Sequence, residues 1–315
     1  MHRTDSIHLG HGRVDKGMER VEIAKGVFQL RSGSNIGLIV QGDRALLVDA
    51  GLDKSAAREA LRAAEELNVS IAAVFVTHAH ADHYGGVAYL QRRLGIPAYA
   101  PGLEAAIAAH PLIEPIYLFS GAAPIQELRH KFTLAEPIQV RAVIASGPCQ
   151  IEGFCVEAVA LPGHAPDQMG LAIGETIFCA DAIFPDETLT KHKVPFCVDM
   201  DQTLGTLDQL PEMPYARFAP GHGEALEAGE AIRRACTSNR QRLTRIRTCV
   251  FDHLCEPQDT ASLLQSVAGD FALQITSATS YFLVRTTVLA AISSLEKAGT
   301  VQPLLSDNRL LWQRA

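Results

Sequence analysis

The chain has 315 residues, 47% of them hydrophobic and 20% charged, with a formal net charge of −7. That length accommodates about two domains of ordinary size, the composition is too apolar for disorder, and the acidity argues against a nucleic-acid binder driven by charge. The acidity is uneven: residues 225–315 carry ten Lys/Arg against eight Asp/Glu, and the rest of the chain 18 against 27. Apolar runs such as Ile71–Val76 are strand-sized, so no bilayer span is expected. Met1–Glu19 lacks the apolar core of a secretory signal, which sets a cytoplasmic expectation. Seven scattered cysteines without any C-x-x-C suggest neither a disulfide framework nor a thiolate zinc site, and are expected to be reduced and mostly buried.

The chain opens, after an N-terminal extension over 1–19, with strand patterns at Val27–Leu30, Asn35–Val40 and Ala45–Val48, the last two joined by Gln41-Gly42-Asp43. Asp53 or Ser55 is positioned to cap a helix running to about Asn68, and Ile71–Val76 reads as a fully buried strand. A helix over Gly86–Leu94, a strand at Ala98–Ala100 and a helix at Leu103–Ala109 continue the alternation. Residues 110–137, with four prolines and a cluster of large apolar side chains, read as an insertion that either lies over a pocket or packs on the body. Further strands are expected around Gln139–Ile144, Phe154–Ala160, Met169–Ile173, Thr176–Cys179 and Ala216–Phe218, with a helix at Gln202–Leu210. From about Ala225 the pattern changes to three helices (to Leu254, Asp259–Ala268 and Ser277–Ala298) and a hairpin over Val301–Gln313, the order of a winged helix.

The chemistry concentrates in Thr77-His78-Ala79-His80-Ala81-Asp82-His83, which puts three imidazoles and a carboxylate directly after a buried strand. No core needs that combination, and the pattern arises by chance about once in a thousand such chains. His78 and His80 project to one side of an extended segment, while Asp82 and His83 turn to a second position as a helix begins, so one loop can serve two metals. Three further candidates follow apolar strand-like stretches: His164 after Pro162-Gly163, Asp181 after Phe178-Cys179-Ala180, and His222 after Pro220-Gly221.

These motifs, with Leu47-Val48-Asp49-Ala50-Gly51 before them, resemble the ordered motifs of the metallo-β-lactamase-fold superfamily over residues 20–225 or so. The resemblance implies an α/β fold: an αββα sandwich with metals at one sheet edge, followed by a smaller helical, winged-helix-like domain over 226–315. It implies that His78, His80 and His164 hold one metal, that Asp82, His83 and His222 hold a second, that Asp181 bridges them, and that Asp49 accepts from a ligand imidazole. Two divalent ions are implied. Zinc suits mixed imidazole and carboxylate donors, as do iron and manganese. The implied chemistry is hydrolysis by a hydroxide shared between the metals, with Asp82 as the catalytic residue that orients the water.

Departures from particular branches narrow the reading. The long C-terminal helices disfavour an antibiotic-degrading enzyme and a persulfide dioxygenase, and His80 stands where flavodiiron proteins place a glutamate. The preferred function is hydrolysis of a small ester, thioester or lactone, as on the glyoxalase-II-like side of the superfamily. A single-stranded RNA endonuclease of the lactamase-B2-like type is the alternative, and a non-catalytic metal-containing binding protein the third. The expected partner is a small molecule rather than a membrane or nucleic acid, with the hairpin available for packing or for pairing into a homodimer. Lys191-His192-Lys193 reads first as an exposed loop and second as an anion contact. Tyr84 reads as either a hydrogen-bond donor behind the site or a packed ring. Arg233, Arg240 and Arg247 form a stripe better suited to a solvated or domain-packing helix than to phosphate.

Overall fold

A computed structural model describes residues 18–315. Residues 1–17 of the expected N-terminal extension lie outside the described residues, and the extension's last residue already belongs to a strand. The first sheet runs β1 (Glu19–Ala24), β2 (Val27–Arg31), β3 (Ile36–Gln41), β4 (Arg44–Val48), β5 (Ser70–Phe75), β6 (Ala98–Ala100) and β7 (Val140–Val143), in that spatial order. Its first four strands form an antiparallel meander, and β4 to β7 are parallel. Parallel pairing requires crossovers, and these are helical. They are α1 (Lys54–Glu66), then α2 (Ala81–Tyr84) with α3 (Val87–Leu94), then α4 (Gly102–Ala109) and α5 (Ile113–Leu118). Asp53 caps α1 by accepting from Ser55 N at 2.9 Å, as its position in the sequence indicates.

The second sheet has the order β13 (Leu226–Glu227), β12 (Arg217–Pro220), β11 (Thr176–Ala180), β10 (Met169–Ile173), β9 (Phe154–Ala160) and β8 (Gly147–Ile151). Strands β1 and β8 are not foreseen from the sequence, their residues being exposed or only half-buried apart from Ile151. The sequence reading also misses α6 (Asp186–His192), where Lys191 and His192 form the last turn of a helix rather than part of a loop. The remaining elements are α7 (Met200–Gln209), α8 (Glu230–Asp252), α9 (Thr260–Asp270), α10 (Ala278–Lys297) and the hairpin β14 (Val301–Ser306) and β15 (Arg309–Arg314).

Burial follows three layers. Val27, Ile39, Leu46, Phe75, Phe154, Leu171 and Phe178 fill the space between the sheets. Leu38, Leu47, Val74 and Leu90 pack the first sheet against its helices. On the far side, Ile177 and Phe218 of the second sheet join Leu207, Ile232, Leu243, Val288 and Ile292 in one continuous cluster, so the C-terminal helices bury their apolar faces on the sandwich itself. This is an αββα sandwich with helices added to one flank.

One sequence expectation needs correction. Helix α10 is long and apolar enough to cross a membrane by length and composition, whereas the sequence reading expects no such run. Arg285, Thr286 and Thr287 interrupt it in the sequence and mask its length. In the structure Val284, Val288, Ala291 and Ile292 are buried against the neighbouring helices, which accounts for the apolarity.

Candidate metal centre

All seven side chains singled out in the sequence converge at one end of the sandwich, where β5, β9, β11 and β12 stop and their loops begin. They form three overlapping groups whose ligand atoms lie within 4.8 Å of one another: His78, His80 and His164; His78, His83 and Asp181; and Asp82, His83 and His222. Asp181 faces both sides. Its Oδ1 lies 3.3 Å from His83 Nε2, and its Oδ2 lies 3.6 Å from His164 Nε2 and 3.4 Å from His222 Nε2. Asp82 Oδ2 is 3.8 Å from His83 Nε2 and 3.7 Å from His222 Nε2.

Backbone geometry delivers these groups. Ala180 holds a left-handed φ of 46° that turns Asp181 off the end of β11. Gly163 (φ 122°) turns His164 inward, and a Cβ there would meet Thr203 N at 2.3 Å. A Cβ on Gly221 would sit 2.2 Å from Asp181 Oδ1, so only glycine lets the His222 loop pass this close to the carboxylate.

Several of the rings are also held from behind. His83 Nδ1 lies 2.9 Å from Asp49 Oδ2, and Asp49 further accepts from Thr77 N and Thr77 Oγ1, both at 2.8 Å. His222 Nδ1 lies 2.7 Å from Gly33 O, and His164 Nδ1 3.1 Å from Phe196 O. With Nδ1 engaged, Nε2 of each ring is left to face inward. His80 presents the other nitrogen, its Nδ1 being 2.9 Å from His164 Nε2.

Several supporting residues escape a reading of the sequence. Ser34 Oγ donates to Asp82 Oδ2 at 2.7 Å, and Asn35 Nδ2 donates to Pro220 O and Gly223 O, tying down the His222 loop. Buried Glu104 on α4 accepts from Ala79 N and Asp167 N, so one carboxylate joins two of the histidine loops. Nothing local marks these residues, because their partners are remote in the chain. Tyr84 resolves to the packing reading: its ring is buried in the cluster behind the first sheet, and burial pushes its hydroxyl pKa up.

The electrostatics are those of a donor cluster. Burial, reinforced by neighbouring rings, pushes His78 well below the usual imidazole range and His80 down to about 3. Burial resists charge on Asp181 as well, yet His222 and His83 outweigh it and hold the carboxyl well below its ordinary value. For His83 the carboxylates of Asp181 and Asp82 overcome burial and raise it. The residues fit metal. His78 Nε2, His83 Nε2 and Asp181 Oδ1 are buried without a hydrogen-bond partner, which is costly for polar atoms unless something else engages them. Donor separations of 3.3–3.8 Å match those of ligands at about 2.0–2.2 Å from one tetrahedral first-row ion.

Beside the cluster lies a pocket of about 360 Å³. His80, Asp82, His164, Asp181 and His222 form its floor, and its walls include Phe184, Phe196, Leu189, Val194, Leu283 and Val284. Glu114 and Phe132 of the insertion line it, which decides for the pocket reading of that segment. Lys191 and His192 also line it, whereas Lys193 donates to Ala272 O at 2.6 Å. The arginine stripe is largely a solvated face: Arg240 pairs with Asp208 and Arg233 lies 3.9 Å from Glu212, all four side chains exposed, while half-buried Arg247 donates to Ser294 Oγ.

The sequence profile of the metallo-beta-lactamase superfamily matches residues 30–222, more than half of the chain and all seven clustered residues. The chain belongs to the metallo-beta-lactamase superfamily. Members of that superfamily use divalent metals, which the clustered histidines and aspartates fit. Among curated relatives, it is 27% identical over 203 residues to an atrochrysone carboxyl ACP thioesterase of Aspergillus fumigatus, covering 64% of this chain and 54% of that protein. It is 30% identical over 140 residues to a hydroxyacylglutathione hydrolase of Albidiferax ferrireducens, covering 44% of each. The chain thus spans about half the length of the curated relatives it matches. Among solved structures, a metallo-beta-lactamase family protein from Thermus thermophilus superposes with a TM-score of 0.72 at 17% identity, over 93% of this chain and 100% of the other. A beta-lactamase domain protein from Burkholderia ambifaria gives 0.71 at 17% identity over 97% and 98%. These likenesses establish a shared fold that includes the C-terminal helices.

Proposed function

We propose that this superfamily member is a dinuclear hydrolase of a small ester, thioester or lactone. The observation that carries the reading is Asp181, whose two oxygens face histidines of both metal-type groups. His78, His80 and His164 would hold one divalent ion, Asp82, His83 and His222 the other, and Asp181 would touch both; zinc is the metal best suited to the set. When bound, such a pair supplies a water activated at neutral pH and a Lewis acid for the carbonyl oxygen.

The chain's own groups do the rest. Asp82 lines the pocket, and with its Oδ2 fixed by Ser34 Oγ it is placed to orient a water and take up its proton. Asp49 holds the His83 ring in one orientation, and Phe196 O does the same for His164. Phe184, Phe196, Leu189 and Val194 exclude bulk water and suit an apolar acyl group. Lys191 stands at the same pocket to meet a negative charge on the leaving portion. Thioester chemistry is supported by the relatives that are an ACP thioesterase and a hydroxyacylglutathione hydrolase. The apolar pocket walls disfavour a polynucleotide.

The test is hydrolysis of a thioester, ester and lactone panel alongside a labelled single-stranded RNA, with metal-stripped and metal-restored protein and a count of bound metal. Turnover of a carbonyl substrate that returns with two equivalents of metal is expected. RNA cleavage without carbonyl turnover overturns the reading.

A further inference from the structure

The C-terminal helices carry a second set of metal-type donors, which shares no residue with the cluster at the sheet edge. Cys249 on α8 and His253 at the turn that ends it are four residues apart, so their side chains leave the same face. Asp270, the last residue of α9, meets them there. Its Oδ2 lies 3.1 Å from Cys249 Sγ and 3.0 Å from His253 Nε2, and the three ligand atoms are all within 4.8 Å of one another. Cys249 is buried, His253 is half-buried and Asp270 is exposed, which leaves the group closed on the protein side and open to water on the other.

We propose that Cys249, His253 and Asp270 form a separate divalent-metal site of zinc type, completed by solvent. Thiolate, imidazole and carboxylate are the donors zinc accepts, and the sulfur excludes magnesium and calcium. Thiolate and carboxylate together balance the charge of a divalent ion. Seating it requires the 3.0–3.1 Å contacts to open by only a few tenths of an ångström, and the thiol proton leaves to solvent. The site has a structural task. Asp270 begins the segment whose Leu273, Gln274 and Ile275 wall the reaction pocket, and Lys193 Nζ grips Ala272 O from the other side. An ion tying α8 to the end of α9 anchors that wall at its base.

The experiment is a Co²⁺ titration of the metal-stripped full chain, followed by absorption. Thiolate bound to Co²⁺ gives an intense near-ultraviolet charge-transfer band that imidazole and carboxylate ligands do not. None of the seven residues at the sheet edge is a cysteine, and Cys179 and Cys197 are buried in the hydrophobic cluster. The band is expected in the wild type and absent in Cys249→Ser, while the visible bands of the other site persist. His253→Gln keeps the sulfur and should shift the midpoint of the band by about 100-fold or more, since even outer partners of ligands are worth about 10- to 100-fold. Saturation with Co²⁺ without the band, survival of the band in Cys249→Ser, or an unmoved midpoint in His253→Gln overturns the proposal. If Cys249→Ser does not fold, His253→Gln decides alone.

Discussion

The donor cluster and the pocket walls above it differ in how their parts are held. Asp181 and His222 leave strand ends within two residues of regular structure, and the rings of His83, His164 and His222 are braced by Asp49, Phe196 O and Gly33 O. The walls come from α5 and the loop after it, from α6, and from α10, which meet through contacts such as Phe119 on Phe282 and His130 Nε2 with Thr279 Oγ1. Directional hydrogen bonds onto the rings themselves fix the donors to tenths of an ångström, whereas wall side chains such as Leu283 and Val284 meet the pocket only through apolar shape. The first arrangement preserves chemistry, and the second leaves substrate choice free to vary.

The sharpest way to break this comparison is at Asp181. Asp181→Ala removes the group facing both triads and should lower kcat/KM by about 10³-fold or more, the scale of several kcal/mol of lost charge stabilisation. Circular dichroism should report an intact fold, and unchanged turnover would remove Asp181 from the site. Asp49→Asn tests the bracing. Metal affinity should fall by about 10- to 100-fold, with activity recovered at high metal concentration. At the walls, Leu283→Ala should change KM by about tenfold or less while metal content stays the same. A loss of metal there would show that walls and donors are not independent.

The smallest expected effect is a pH dependence at Glu114, on the wall nearest the cluster. Burial, with the Asp82 and Glu104 carboxylates adding to it, pushes this carboxyl well above the usual range. The folded chain then keeps a proton that the unfolded chain releases above about pH 4.3. The associated stability is present in full below that pH and is lost as pH rises toward the folded value. In metal-free protein, denaturation midpoints for Glu114→Gln and wild type should therefore diverge in favour of the variant as pH rises. Parallel curves would place Glu114 in polar surroundings.

The seven donors were legible because their types are improbable in a core and because each follows an apolar, strand-like run. Asp49 was legible only through resemblance, since an aspartate before Ala-Gly reads equally as a turn residue. Ser34, Asn35 and Glu104 were not legible, because each is defined by partners 25 to 188 residues away in the chain. Cys179, Cys197, Cys236 and Cys249 are buried and free, in line with the absence of any paired spacing, but spacing gave no hint that Cys249 meets Asp270 across two helices.

By itself, the sequence determined the alternation of strands and helices, the loops that carry metal-type residues and the order in which they occur, because periodicity and residue chemistry are local properties. Tertiary structure decided that Asp181 lies between the two groups, that the insertion and α10 close over one pocket, and that the C-terminal helices share a core with the second sheet. Those outcomes depend on which surfaces meet when the chain collapses, and burial of apolar area is non-directional until packing selects one partner for each face.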